Sequence, residues 1–421
     1  IHGTNNKLGG CMGVKNGGQV NNITSENNKI IVDSKSESKE QSTIGVGGCI
    51  GYGYNNGTWI NIKSFNNEFN GISSDCVGGI IGRLRILKGQ SISNLTSNSN
   101  TINNGKDYVG GAIGDAVNYN YTGYESRPIT VMKNIDSIDN NISGQKYVGG
   151  VVGHTDLRMQ DVHTKYSEEN SGKTIHSITG SYIGGIVGKS EYSDVSKTTI
   201  DRASVENAHI STPGCSSVGG ISGSQKGTIN NSYVIDSKIY ADIMFQIAGN
   251  GIGGLVGYYE GSDLNTAEAV SSESFYVKNS FFAYSTIEAE KGKNVGGLIG
   301  KIRYGTVRNC LVGNINIQAG TNVGGLIGYI ANEDMTNKQY IVNIKNNYIA
   351  NTYEEIRLKV KATDTLGVVG GIVGAVQLSY ASLAGIDDYN LIDQYIINNL
   401  LVTDVEGNND KAKMTIGYQE G

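Results

Sequence analysis

The sequence predicts an all-β chain: a right-handed parallel β-helix, or β-solenoid, of about 11 to 12 coils with roughly three short strands per coil. Three observations carry this. Near-copies of Val-Gly-Gly-(Ile/Leu/Val)-(Ile/Val)-Gly begin at Leu8, Val46, Val77, Val109, Val148, Ile183, Val218, Ile252, Val295, Val323 and Val369, eleven copies 28 to 46 residues apart. Asparagines recur at a second fixed register between the copies. Finally, the 421 residues hold 60 glycines but only 2 prolines, as suits a fold in which almost every residue must donate to a strand ladder. Each repeat buries its apolar face only by stacking on its neighbours, so length counts coils and 1–421 reads as a single solenoid. Right-handedness follows from the general rule for parallel crossovers.

Residues 305–328 show the unit near its shortest. Extended pieces at 306–309, 314–319 and 323–327 are separated by Gly or Asn turns. Alternation puts Ile315 and Ile317 inward and Asn314, Asn316 and Gln318 toward water.

Glycine inside a strand costs backbone entropy and packs nothing, so its repetition needs a reason. The paired glycines Gly47, Gly48, Gly78, Gly79, Gly110, Gly111, Gly149, Gly150, Gly184, Gly185, Gly219, Gly220, Gly253, Gly254, Gly296, Gly297, Gly324, Gly325, Gly370 and Gly371 mark a place where no side chain fits. The third glycine of each copy is expected at positive φ, turning the chain out of its strand.

The second register holds Asn22, Asn61, Asn94, Asn134, Asn231, Asn279, Asn309 and Asn346, expected to exchange amide hydrogen bonds along the stack. The 148–188 region departs most, because the strand around 173–178 lacks the asparagine.

Long spacings place insertions near 119–127, 260–274 and 331–339, where surface loops could carry contacts; Tyr119, Tyr121 and Tyr124 are the aromatic candidates there. Residues 375–421 read as a degenerate last coil or cap. Opening at Ile1 suggests a processed piece from which a leader was removed, and ends lacking an obvious cap suggest either a section of a longer protein or subunits joined end to end.

Cys11 and Cys49 hold the fourth position of the first two motif copies. Stacking brings them onto adjacent strands, within reach of a disulfide or as a column of small buried side chains. Sequons occur at Asn22, Asn56, Asn94, Asn120, Asn141 and Asn230; Asn56, Asn120 and Asn141 are the candidate glycosylation sites, Asn56 and Asn120 for their turn-like settings.

A net charge of -5 argues against nucleic acid as a partner, and no apolar run is long enough for a membrane span. No His-Glu-x-x-His pair, serine elbow or phosphate loop in the right context is found, the five histidines are scattered, and no cofactor site is read. His154, His163 and His176 fall within about one coil, the only histidine grouping that could hold a metal.

The hexapeptide, the Gly-Thr-Ile-x-Asn-(Ser/Cys)-Tyr-like strand and the x-Ile-x-Ala-Gly step before the next copy together resemble the GLUG repeat, over 8–374 and best at 227–257 and 305–328. That repeat family occurs in bacterial surface adhesins of the filamentous-haemagglutinin type and in non-catalytic parts of bacterial immunoglobulin A peptidases. The resemblance implies a non-enzymatic, extracellular or cell-surface stalk or adhesive scaffold, whose partners are other segments of a longer surface protein, like subunits end to end, or a host glycan or protein. A self-assembling filament is the alternative, and a β-helical polysaccharide-acting enzyme the remote one.

Overall fold

The computed structural model describes residues 1–3, 7–32, 44–70, 75–87, 89–118, 130–170, 172–177, 182–191, 199–214, 216–241, 251–261, 275–331, 342–350, 359–362, 368–376, 396–397 and 400–402. Two compact units emerge, Ile1–Thr212 and Pro213–Gly421. Both are built of short strands. Among the described residues the one helical element is the 3-10 turn Glu168–Asn170.

Within each unit, strands pair in parallel with the equivalent strand of the next repeat. In Ile1–Thr212, Tyr108, Val109 and Gly110 pair with Cys76, Val77 and Gly78 on one side and with Tyr147, Val148 and Gly149 on the other. In Pro213–Gly421, Val295 and Gly296 pair with Ile252 and Gly253 and with Val323 and Gly324. Beyond the last motif copy, Ile396–Ile397 pairs with Ile344 and Lys345, and Leu400–Val402 with 348–350.

The strands form two large parallel sheets, and the hexapeptide is where the chain passes from one to the other. In the copy at Val109, the strand Tyr108–Gly110 belongs to the first sheet and Ile113–Asn118 to the second, with the bend at Gly111 and Ala112. Apolar side chains from both sheets fill the interior, among them Val109, Ala112, Ile113, Leu95 and Ile142, each without solvent exposure. The alternation that buries them is the two-residue period of a strand.

Three expectations are corrected; the first is that Asn314, expected to face water, is buried at a left-handed φ of 52°. The stretch 305–330 contains four strands, Gly305–Arg308, Leu311–Gly313, Asn316–Gly324 and Ile327–Ile330. Residues 311–313, read from sequence as a turn, form a strand because Val312 points inward and pairs with Phe282 and Ile349. Moreover, no third glycine has a left-handed φ; Gly114 lies inside Ile113–Asn118. Its reason is steric, since a Cβ there would stand 2.7 Å from the Val77 nitrogen and 2.8 Å from the Val77 carbonyl oxygen.

Left-handed backbone is supplied by asparagine instead. Asn22, Asn61, Asn94, Asn134, Asn231, Asn279, Asn309 and Asn346 all have φ between 50° and 58°. Asparagine tolerates this region better than other non-glycine residues. In the repeat that lacks an asparagine at 173–178, the equivalent position is Asp161, with Arg202 next. Both keep φ at 54°, and the Arg202 Nε and Nη2 groups bond the Asp161 carboxylate at 2.6 and 3.0 Å.

Candidate functional site

Two residues flank every hexapeptide, one before and one after. The sharp bend brings them side by side at the corner, and stacking turns them into two adjacent columns. In Ile1–Thr212 the leading column runs Cys76, Tyr108, Tyr147, Tyr182. The trailing column runs Tyr52, Arg83, Asp115, His154, Lys189.

The tyrosine rings stack, Tyr108 on Tyr147 at 5.1 Å and Tyr147 on Tyr182 at 5.7 Å, with planes 11° and 12° apart. Arg83 lies 5.9 Å from the Tyr108 ring, and Lys189 lies 5.7 and 5.8 Å from Tyr147 and Tyr182, within cation–π range. Asp115 is 1% exposed and is held by Arg83 Nε at 3.1 Å, Arg85 Nη2 at 3.2 Å and His154 Nδ1 at 2.8 Å. The other face of His154 meets Glu191 at 3.5 Å, and Glu191 pairs with Lys189.

This geometry sets the protonation states. Burial disfavours the charged forms of Asp115 and His154, but their mutual hydrogen bond and the neighbouring Arg85, Arg83 and Glu191 charges outweigh it. Asp115 is therefore held below the usual carboxylate range, and His154 is pushed up to about 9. The His154 hydrogen bond holds Glu191 low as well. Burial raises the Cys76 thiol well above its ordinary value and takes the Tyr108 phenol up to about 12. Both are protonated at neutral pH, so neither thiol nor phenol is poised as a nucleophile. What the column offers is a row of tyrosine edges beside matched charges.

Pro213–Gly421 fills the same two positions differently. Its trailing column is Ser224, Tyr258, Lys301, Tyr329 and Ala375, with the Lys301 ammonium 5.7 and 5.8 Å from the two rings. Its leading column begins Ser217 and Gly251.

The second set of contacts lies inside. In Ile1–Thr212 the backbone N–H groups of Asn28, Asn67 and Asn100 donate to the side-chain oxygens of Asn67, Asn100 and Asn140, each at 2.8 Å. Three residues before each stands a serine whose hydroxyl accepts from its Nδ2 at 2.9 Å. Ser25, Ser64 and Ser97 in turn donate to the carbonyls of Gly48, Gly79 and Gly111 at 2.5 Å. This buried Ser-x-x-Asn ladder was not anticipated. Its only sequence signal is the spacing of 25/28, 64/67, 97/100 and 137/140, hidden in a chain rich in both residue types. In Pro213–Gly421 the Ser232 and Ser237 backbones donate to the Ser280 and Ser285 hydroxyls at 3.1 and 2.9 Å, and the Cys310 N–H donates to the Asn347 side-chain oxygen at 3.0 Å.

The anticipated asparagine column is exposed. Asn61 donates to Asn22 at 3.1 Å, Asn94 to Asn61 and Asn134 to Asn94 at 3.0 Å, Asn279 to Asn231 at 3.3 Å and Asn309 to Asn279 at 3.4 Å. A Cβ on Gly48, Gly79, Gly111 or Gly150 would meet the next repeat's glycine carbonyl and a serine or threonine hydroxyl; on Gly220, Gly254 or Gly297 it would meet Val234, Phe282 or Val312.

Cys11 and Cys49 lie not on strands, as expected, but in stacked bends, between Lys7–Gly9 and Met12–Glu26 and between Gly45–Gly47 and Ile50–Phe65; the Cys11 N–H donates to the Cys49 carbonyl at 2.9 Å, and both carry free thiols. Burial pushes both thiols up. Asn56 falls within the strand Ile50–Phe65, not the turn expected, and Asn141 opens Asn141–Gly144, where its side-chain oxygen accepts from the Thr174 N–H at 3.2 Å. Asn120, with Tyr119, Tyr121 and Tyr124, lies outside the described residues. His154, His163 and His176 stand on three different strands, and no grouping of metal-ligating residues forms among the described residues. No helix among the described residues is long and apolar enough to cross a membrane. No protein-family profile, curated protein or solved structure matches this chain.

Proposed function

We propose that the chain is a non-enzymatic, extracellular scaffold built as a right-handed parallel β-helix of GLUG-like repeats, serving as a stalk or adhesive support of a cell-surface protein. The observation that carries this reading is in-register stacking of near-identical hexapeptides across repeats of unequal length. Ladders of this kind resist bending because every repeat is hydrogen-bonded to the next along two sheets. The protonated state of Cys76 and Tyr108 and the charge-matched pairing of Asp115 also support binding or structure over catalysis.

Surface location is tested by probing intact source cells with antibody against this chain before and after protease shaving. Labelling that disappears on shaving is expected; labelling only after cell lysis would overturn the assignment. An experimental structure gives the hand directly, and a left-handed crossover would overturn the β-helix as drawn.

A further inference from the structure

The outer face of the second sheet differs between the units in a way that stability does not require. Measured from the exposed asparagines, the preceding position in Pro213–Gly421 runs Asn230, Lys278, Arg308, Lys345 on adjacent strands. The position two residues after runs Tyr233, Phe281, Leu311, Tyr348. In Ile1–Thr212 the same positions hold Asn21, Ile60, Ser93, Lys133, Gln160, Asp201 and Thr24, Lys63, Thr96, Asp136, His163, Ser204. There, no cations adjoin and the second row is polar.

Three cations on strands about 4.8 Å apart repel one another, and such like-charge neighbours destabilise a sheet. Lys278 and Arg308 share the Tyr276 ring, at 4.2 and 5.9 Å, and neither pairs with a carboxylate among the described residues. Beside them Leu311 and Tyr348 are 36% and 40% exposed, and Tyr233 stacks on Phe281 at 4.9 Å. Between the two rows runs the asparagine column, in which Asn279 donates to Asn231 and Asn309 to Asn279, so amide groups line the strip between cations and apolar side chains. A cationic row, an amide row and an apolar row thus lie parallel, one set per repeat.

We propose that this face binds a linear polyuronate, a glycan carrying one carboxylate per sugar, laid along the stacking direction. Its carboxylates meet Lys278, Arg308 and Lys345, its hydroxyls the asparagine amides, and its C–H surfaces Phe281, Leu311 and Tyr348. Spacing and chemistry argue against the acidic alternatives. Same-face side chains of an acidic strand recur every 6.6 Å or so, out of step with rows about 4.8 Å apart, and such a strand brings no row of hydroxyls to the asparagine amides. At most one cation per strand suits a sparsely charged chain, and a heavily sulfated one would leave most of its charges unpaired.

The inference deepens the adhesive-scaffold reading and rests on its stacked repeats. The test titrates the full chain against polygalacturonate, uncharged dextran, heparin and poly-glutamate at rising sodium chloride. Expected are binding to polygalacturonate that weakens with salt, none to dextran, weaker binding to heparin and poly-glutamate, and at least tenfold weaker polygalacturonate binding by K278Q/R308Q with thermal unfolding no lower than that of the parent chain. Lys63→Gln in the other unit serves as the unaffected control. Should the double variant unfold early, L311T/Y348T gives the same reading through the apolar row. Absence of polygalacturonate binding, equal or tighter binding to heparin or poly-glutamate, or indifference to both variant pairs overturns the proposal. The scaffold reading stands or falls separately, on cell-surface labelling.

Discussion

Ile1–Thr212 and Pro213–Gly421 use one corner and two interiors. At the corner both place a glycine whose Cβ would collide with the next repeat's glycine carbonyl. Behind it, Ile1–Thr212 sets a serine or threonine hydroxyl, while Pro213–Gly421 sets Val234, Phe282 or Val312. Counted from the exposed asparagine, the polar interior position has moved. In Ile1–Thr212 the next residue is apolar (Ile23, Ile62, Leu95, Ile135) and the third is Ser25, Ser64, Ser97 or Ser137. In Pro213–Gly421 the next is Ser232, Ser280, Cys310 or Asn347 and the third is apolar. The backbone path is preserved, so an interior of this kind tolerates exchange of polar and apolar columns provided each buried polar group finds a partner one repeat away.

The largest expected effect tests what the units share. Gly111→Val and Gly297→Val should each cost about 3 kcal/mol or more, since a Cβ meets Ile142 at 3.0 Å in one case and Val312 at 2.9 Å in the other, with backbone closer still. Denaturant unfolding checks this; a loss confined to one unit would break the claim of a common corner.

The next tests what differs. Asn100→Leu should cost about 2 to 4 kcal/mol, because the Asn67 N–H, the Ser64 carbonyl and the Ser97 hydroxyl all lose a buried partner. Ser285→Ala should cost only about 1 kcal/mol, as the Ser237 N–H loses its partner across the repeat and the Ala283 carbonyl loses only a local one two residues away. Equal costs would show that the two ladders do equivalent work.

A third prediction is pH-dependent and belongs to Ile1–Thr212 alone. The folded His154 value, about 9, lies above its ordinary 6.5. Its stabilisation is thus fully present below 6.5 and lost as pH rises through about 9. Glu191 acts oppositely: lowered in the fold, it stabilises above its ordinary 4.5 and loses that contribution as pH falls. Hydrogen-exchange protection across 147–190 should therefore peak between pH 5 and 6.5 and fall by roughly tenfold toward pH 10, a shift of about 1 to 2 kcal/mol. Protection should stay flat on the alkaline side in His154→Gln.

The smallest effect separates conformation from hydrogen bonding in the exposed column. Asn94→Ala and Asn309→Ala should each cost about 1 kcal/mol, while the glycine variants stay within about 0.5 kcal/mol, because the left-handed φ of 58° and 54° dominates over the amide bond. Thermal melts of the four variants decide it.

Where the chain repeats an identity, its architecture was legible. Val109 pairs with Val148 and Asn94 with Asn134 as their spacings implied. Where it repeats only a role, the pattern was hidden. Arg83, Asp115, His154 and Lys189 share a position but not a residue type, so nothing marks them as a column until the strands are aligned. The serine preceding each buried asparagine by three residues was masked by abundance, and the asparagine at left-handed φ took the turning task assigned to glycine.

The buried amides have a consequence for how such a chain changes over time. Each of Asn67, Asn100 and Asn140 reads the peptide group of the previous turn and clasps its own serine, so alignment is renewed once per circuit whatever the chain does between. Lengthening one connection does not accumulate as error further along. That is how spacings from 31 to 39 residues coexist within Ile1–Thr212, and why new surface segments can be grafted between its turns without re-tuning those that follow.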